Sequence, residues 1–525
     1  FIHNLVAERE DGIAISISTG NECDVTMEES LEYLVNHPKV KVIALVLETI
    51  RDGENFIKQA KLAFKAKKPI IVCKIGSSQN GKKVMKSHTG AISGEAEIYR
   101  AVFKSLGITE VSSPQELVET SYLFANSPVP KGNSVGIITH SGGTAVILAD
   151  NAEKNKLFLP RLDEKLKRKL SNFSQFGGME NPLDLGGIVT HPERYTDVVS
   201  EFLNAKKFDT VLAVSTPHPP KHTIKRVREI KKLMEKNKIP LWNLWLAGDQ
   251  AKKGERFLRK NKIPISINID SVLQNVSSLI RYGNFKIPSQ KIKKIQTQEI
   301  KPNFSKFKKN KITGYLSEFD SKNLLQELGI NIIPNGKRET FPEIISIARK
   351  IGYPLTLKAN SNSLLHKTEI GAFSLDIRNE NELRNVYKKI SKKLNIQSNL
   401  DGWIVEKFMP GIEVMVSAFK DNTFGTLVSV GSGGTLVELI SDLQIRLAPI
   451  DYKMSMEMIR ELKGKLLLDG YRSKEKTDIH ALAKIICRIS EVIYIHNEDI
   501  KEIEINPLIF SKGKWWIADS LVKLS

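Results

Sequence analysis

Only three cysteines occur in 525 residues, Cys23, Cys73 and Cys487, far apart and without a CxxC pair. That scarcity excludes a disulfide framework and a thiolate zinc site, and it fits a chain kept in a reducing cytoplasm. There is no run of about 18 uncharged apolar residues and no signal-peptide pattern, so membrane insertion is not expected. Interleaving of aromatic with basic residues is also missing, and no nucleic-acid module is apparent. This absence matters because the charge is lopsided, with 79 Lys and Arg against 59 Asp and Glu and a formal net charge of +20. The basic residues are spread along the whole chain. A nucleic-acid partner is therefore not expected, whereas a diffuse positive field favours small polyanions.

A hydrophobic content of 41% and a charged content of 26% are ordinary for a globular protein, and 525 residues exceed one core, so several domains are expected. Short β-branched runs alternate with longer amphipathic stretches through the first half, which predicts βαβ units and parallel sheets. "VKVIALVLETI" reads as a buried strand, "GENFIKQAKLAFKAK" as a helix and "PIIVCKIG" as the next strand. The pattern restarts at Ser134 with a strand, a Gly-rich turn and a helix, followed by "TVLAVST" and "IPLWNLWLAG". These readings give two flavodoxin-like domains, at 1–130 and 131–287. Residues 288–311, rich in Lys with Gln, Pro and Asn, read as a solvated linker. The remainder, 312–525, has strands "PLTLKAN", "WIVEKFM", "VMVSAFK", "TLVSVGSGG" and "IKEIEINPLIF". Antiparallel pairing with helices on one side predicts an α+β nucleotide-binding domain there.

The sharpest chemical signal is "GSSQNGKKVMKSHTGAISGEAEIYR". His88 stands among Ser87, Thr89 and Gly90, after a strand and a Gly/Ser-rich loop and just before a helix. Such a place suits an imidazole that carries a phosphoryl group, since helix N-terminal amides and the positive dipole end stabilise phosphate. Gly142 and Gly143 open a second helix after a strand, with backbone amides suited to a phosphate or oxyanion. Near the end of the chain, Glu504 and Asn506 share one face of a strand because side chains alternate. Asp519 on the adjoining strand would complete a set of hard oxygens for Mg²⁺.

The His88 run closely resembles the phosphohistidine loop of ADP-forming acetyl-CoA synthetases and of the α subunit of succinyl-CoA synthetase. The resemblance to this NDP-forming acyl-CoA synthetase family extends over nearly the whole chain. It implies that Glu48, at the end of the strand in "IALVLETI", orients and charge-stabilises the phosphohistidine, and that Gly142 and Gly143 help hold its loop. From 312 onward the chain resembles an ATP-grasp domain. There the resemblance implies nucleotide contacts at Lys358, Lys367, Gly371, Glu406, Glu413, Gly433, Gly434 and Arg446. In some members the histidine of "LLHKTEIG", His366 here, takes phosphate first and passes it to the mobile histidine.

The implied reaction is carboxylate + CoA + ATP ⇌ acyl-CoA + ADP + phosphate, with ATP, Mg²⁺, CoA and a small carboxylic acid as partners. A homo-oligomer is expected. The chain opens on Phe1 inside what reads as a folded segment, and it matches the family without its N-terminal CoA-binding domain. CoA capture is therefore expected to need that domain. Two further departures stand out: Gly371-Ala372 replaces a Gly-Gly, and "HSGG" replaces "NAGG", which introduces His140. Two rival readings are an ATP-grasp carboxylate–amine ligase and a non-catalytic regulatory subunit related to protein acetyltransferase fusions. His88 disfavours the first, since such a ligase needs no phosphohistidine, and the complete nucleotide-site set disfavours the second.

Overall fold

The computed structural model describes residues 2–76, 78, 96–171, 173, 179–186, 192–215, 220–248, 251–287, 302–307, 313–361, 371–394, 400–433, 442–470 and 475–525. The chain divides into two compact units, Phe1–Ile287 and Pro288–Ser525. Most of the Lys-rich stretch 288–311 lies outside the described residues; within it Phe304–Lys306 forms a 3₁₀ turn.

The first unit contains two parallel sheets. β1 (Ile43–Leu47), β2 (Ile70–Lys74) and β3 (Thr109–Val111) form one, in the order β1-β2-β3. β4 (Val135–Thr139), β5 (Leu183–Asp184), β6 (Thr210–Ser215), β7 (Leu241–Trp245) and β8 (Ile265–Ser266) form the other, in the order β5-β4-β6-β7-β8. Every residue of β4, β6 and β7 is buried, as both-face helix cover requires of a parallel sheet. β1 instead alternates buried and exposed residues, the mark of an edge strand with one wet face. The five-stranded order reverses direction between β4 and β6. In open α/β sheets, ligands bind outside the carboxyl ends of strands at such a switch.

Local signals start the helices. Thr26 and Glu29 make a reciprocal capping box at the helix Met27–Asn36, and Ser113 caps Pro114–Asn126 with Pro at the first turn. Each cap is worth about 1 kcal/mol. The two sheets share one hydrophobic core that runs from Ile71 and Val111 through Leu117 and Leu123 to Val135, Val211 and Leu241. A buried ion lattice adds a polar fastening. Asp11 accepts from Arg9 at 2.8 Å and from Arg259 at 3.2 Å, while Arg259 lies over the ring of Tyr122. Burial, chiefly, holds the Tyr122 hydroxyl far above its ordinary pKa.

The second unit is antiparallel, as expected. β9 (Asn335–Arg338), β10 (Leu355–Ala359), β11 (Phe373–Ile377) and β12 (Trp403–Lys407) form a four-stranded sheet in the order β11-β10-β12-β9. The helices Phe341–Ile351 and Glu380–Leu394 contribute Ile344, Ala348 and Leu383 to the core beneath it. β13 (Ile412–Asp421), β14 (Gly425–Ser432), β15 (Leu443–Leu447), β16 (Ile500–Ser511), β17 (Lys514–Ile517) and β18 (Ser520–Leu524) make the larger sheet. Its order is β15-β14-β13-β16-β17, with β18 also on β16. Val414, Val416, Val428, Val430, Ile503 and Ile505 pack on Leu482, Ile486 and Ile489 of the helix Ile479–Ile495. No helix among the described residues is long and apolar enough to cross a membrane.

Candidate active site

His88, His366, Lys367 and Gly434 lie outside the described residues; the elements that frame them are well formed. Glu48 follows β1 directly and is half-buried. Its main-chain carbonyl accepts from the ammonium of Lys74 at 2.7 Å. Lys74 ends β2, also donates to the carbonyl of Ile75 at 2.6 Å, and stands 4.8 Å from the ring centre of Tyr99. Gly76, at φ 70°, then turns the chain in the left-handed region that glycine tolerates best. The carboxyl edge of this sheet, from which the His88 segment departs, is thus fastened by Lys74. Sequence reasoning passed over this residue; its signal was a cation closing an apolar strand just before a glycine.

At the second sheet, Ser141 caps the helix Gly142–Lys154, its hydroxyl accepting from the amide of Thr144 at 3.4 Å. A Cβ at Gly142 would come within 3.3 Å of Asp184 Oδ2, whereas Gly143 is more open, with Ser141 Oγ 3.9 Å away. Glycine here keeps the first helical amides uncovered, the arrangement an anion needs. The ring of His140 lies 4.8 Å from that of Tyr195, which Arg226 also contacts at 4.4 Å. Tyr195 donates to the carbonyl of Val214 at 3.0 Å, and burial pushes its hydroxyl up to about 12. Asn181 is an anchor of β4. Its amide oxygen accepts from Ile137 at 2.9 Å, and its amide nitrogen donates to Val135 at 2.8 Å and Pro160 at 3.2 Å.

In the second unit the structure brings Glu504, Asn506 and Asp519 together around one bend. The amide of Asn506 donates to the carbonyl of Asp519 at 3.1 Å, and the amide of Ala518 to the carbonyl of Pro507 at 3.1 Å. Glu504 stands two residues earlier on β16, opposite Leu521 of β18 and Ser417 of β13. All three side chains are half-buried. They offer two carboxylates and one amide, and among the described residues no group of three His, Cys, Asp or Glu side chains could hold a metal. Their oxygens suit a hard cation whose remaining ligands come from water or phosphate.

Lys358 reaches the same bend. Its ammonium donates to the carbonyl of Ala518 at 2.7 Å and to Glu318 Oε1 at 2.7 Å, and stands 3.2 Å from Glu406 Oε2. Burial works against its charged form. Glu318, Glu406 and Asp519 outweigh that, and the ammonium is held well above the ordinary lysine range. Glu406, expected to contact the nucleotide, is buried in this ion cluster with Lys322 and Lys358.

Glu413 is exposed on β13, and its carbonyl accepts from the amide of Gly433 at 3.1 Å. A Cβ on Gly433 would sit 2.6 Å from the nitrogen of Val414, so this crossing admits only glycine. Gly371 has φ 64°, and Ala372, which replaces the family's second glycine, puts its methyl into the small-sheet core. Arg446 is not brought to the Glu504 cluster. Ser417 pairs with Glu504 and Ser429, and Ser429 with Ile445; Arg446 pairs with Val428 and so faces the other side. There its guanidinium donates to Glu461 of the helix Tyr452–Glu461 at 2.5 Å, where a nucleotide contact had been expected.

Comparison with known proteins agrees with this layout. Residues 308–524 match the ATP-grasp domain, and residues 2–124 match the succinyl-CoA ligase like flavodoxin domain. Over 522 residues the chain is 32% identical to the acetate–CoA ligase [ADP-forming] of Methanocaldococcus jannaschii, which covers 96% of this chain and 73% of that protein. It is 29% identical over 515 residues to the 4-hydroxybutyrate–CoA ligase [ADP-forming] of Nitrosopumilus maritimus, with coverage of 96% and 73%. It is likewise 29% identical over 520 residues to acetate–CoA ligase [ADP-forming] I of Archaeoglobus fulgidus, again covering 96% and 73%. With a flavodoxin-type parallel sheet, an antiparallel ATP-grasp unit and this similarity along nearly its whole length, the chain belongs to the family of ADP-forming acyl-CoA ligases.

Proposed function

We propose that the protein joins a small carboxylic acid to CoA at the expense of ATP, releasing ADP and phosphate. The observation that carries this reading is the convergence of Lys358 on Ala518, the neighbour of Asp519. The ammonium that would bind phosphate and the oxygens that would bind a hard cation thus belong to neighbouring residues of one bend. In the reaction, an imidazole nitrogen attacks the γ-phosphorus of ATP; a P–N bond forms and ADP leaves. His366 takes the group first; an imidazole nitrogen of His88 then attacks the same phosphorus, the new P–N bond forming as the bond to His366 breaks, and His88 carries the group to the acid. A carboxylate oxygen then takes the phosphoryl group, giving an acyl phosphate and free imidazole. The CoA thiolate attacks the acyl carbon and expels phosphate. Splitting one hard condensation into transfers of a single phosphoryl group is the gain from nucleophilic catalysis.

Lys358, Lys367 and the glycines Gly371, Gly433 and Gly434 would hold nucleotide phosphates, with Glu413 shaping the rest of that site. Glu504, Asn506 and Asp519 would hold Mg²⁺, which when bound supplies charge neutralisation at the phosphates. Glu48 would orient His88, and the amides at Gly142 and Gly143 would receive the phosphate. CoA would draw on the part of the relatives' length beyond the 73% that this chain matches. We further read 1–130 and 131–287 as separate ligase domains, 288–311 as a linker and the assembly as a homo-oligomer.

The test is a product balance with purified protein, ATP, CoA and either acetate or 4-hydroxybutyrate. One ADP and one phosphate should accumulate per thioester, with multiple turnover only when all three substrates are present. AMP and pyrophosphate, or ADP release without the acid beyond the one equivalent per protein that loads the histidine, would refute the proposal.

A further inference from the structure

Four ionisable side chains of the second unit form a buried ring. Glu318 and Lys322 come from the helix Glu318–Glu327, Lys358 from β10 and Glu406 from β12. The Lys322 ammonium donates to Glu318 Oε1 at 2.7 Å and to Glu406. The Lys358 ammonium donates to the same Glu318 oxygen and stands 3.2 Å from Glu406. Each lysine thus meets both glutamates, and the formal charge of the ring is zero. Lys322 is 0% exposed and Glu406 1%.

Burying four charges is a poor way to stabilise a lobe, because desolvation offsets most of the Coulomb gain. The ring is therefore expected to serve something other than packing. Lys358 indicates what: the same ammonium binds the carbonyl of Ala518, beside Asp519. Without Lys322, two carboxylates would face Lys358 alone, and their pull would compete with any further anion. We propose that Lys322 is a positioning residue for MgATP: by neutralising Glu318 and Glu406, it leaves the charge of Lys358 available to nucleotide phosphates and keeps it seated on Ala518. The inference rests on the nucleotide-site reading given above.

The experiment measures MgATP affinity by calorimetry, together with KM and kcat, in wild type, Lys322→Met and the neutral double variant Glu318→Gln/Lys322→Met. Lys322→Met should weaken MgATP binding about tenfold and raise KM, with a much smaller change in kcat. The double variant, whose ring is again balanced, should return to within about threefold of wild type. A role in packing alone predicts the opposite pattern: a lower melting temperature, unchanged affinity, and no recovery in the double variant. If Lys322→Met does not fold, the double variant decides. Folding with near wild-type affinity supports the proposal; failure to fold or to bind overturns it. Failure of the wild-type chain to bind MgATP would refute the nucleotide site itself. Wild-type binding with an equally tight Lys322→Met would refute only the role of Lys322.

Discussion

The amide of Asn506 donates to the carbonyl of Asp519 at 3.1 Å, so β16 bends against the turn that joins β17 to β18. Asp519 is thereby placed by its backbone, and changing its side chain should leave the bend intact. Asp519→Asn is expected to shift the melting temperature by no more than about 2 °C. It should weaken MgATP binding by about tenfold or more, and excess magnesium should recover part of the loss. An unaltered magnesium dependence would place the metal's carboxylate elsewhere.

Asn181 gives a prediction about stability alone. Its side chain closes hydrogen bonds with Ile137, Val135 and Pro160. Asn181→Leu removes these partners from backbone groups around β4, at a cost of about 1–3 kcal/mol. Thermal or denaturant unfolding should register the loss in the first unit. Affinity for MgATP, which belongs to the second unit, should not change. Loss of nucleotide binding at full stability would contradict the assignment of Asn181 as an anchor.

Alkaline pH should loosen the second unit. Burial raises the Tyr315 hydroxyl from 10.0 to about 12, helped by Glu502, and Lys358 is raised above its ordinary 10.5 by Glu318 and Glu406. Both groups hold their protons more tightly folded than unfolded. Their stabilisation is therefore complete below about pH 10 and is lost as pH climbs through the folded values. Melting temperatures should be flat with respect to these groups from pH 7 to 9 and fall above pH 10. Tyr315→Phe should remove part of that fall. A decline of equal size in Tyr315→Phe would show that the hydroxyl is not a contributor.

Much of the fold was legible because its signals are local. Apolar runs such as "PIIVCKIG" and "TVLAVS" read directly as buried parallel strands. What escaped depends on distant pairing. Glu318 and Lys322, four apart on a helix, look like an ordinary solvated ion pair, and their buried partners Lys358 and Glu406 come from distant strands, β10 and β12. The side of the sheet on which Arg446 lies follows from its register with Val428, which no spacing within "IRLAPI" reveals. His140, introduced by "HSGG", lies beside the ring of Tyr195, 55 positions away by number, a neighbour that no local spacing reveals.

The central claim, that a phosphoryl group travels on His88, is tested most directly by mass spectrometry of protein mixed with MgATP and quenched in base. The tryptic peptide Ser87–Arg100 should carry one acid-labile, base-stable phosphate. In His88→Ala that phosphate should vanish from the peptide, and thioester synthesis with it. In His366→Asn, MgATP should still bind while loading of His88 slows sharply. An unmodified Ser87–Arg100 peptide under turnover, or thioester formation at the wild-type rate by His88→Ala, would contradict the account.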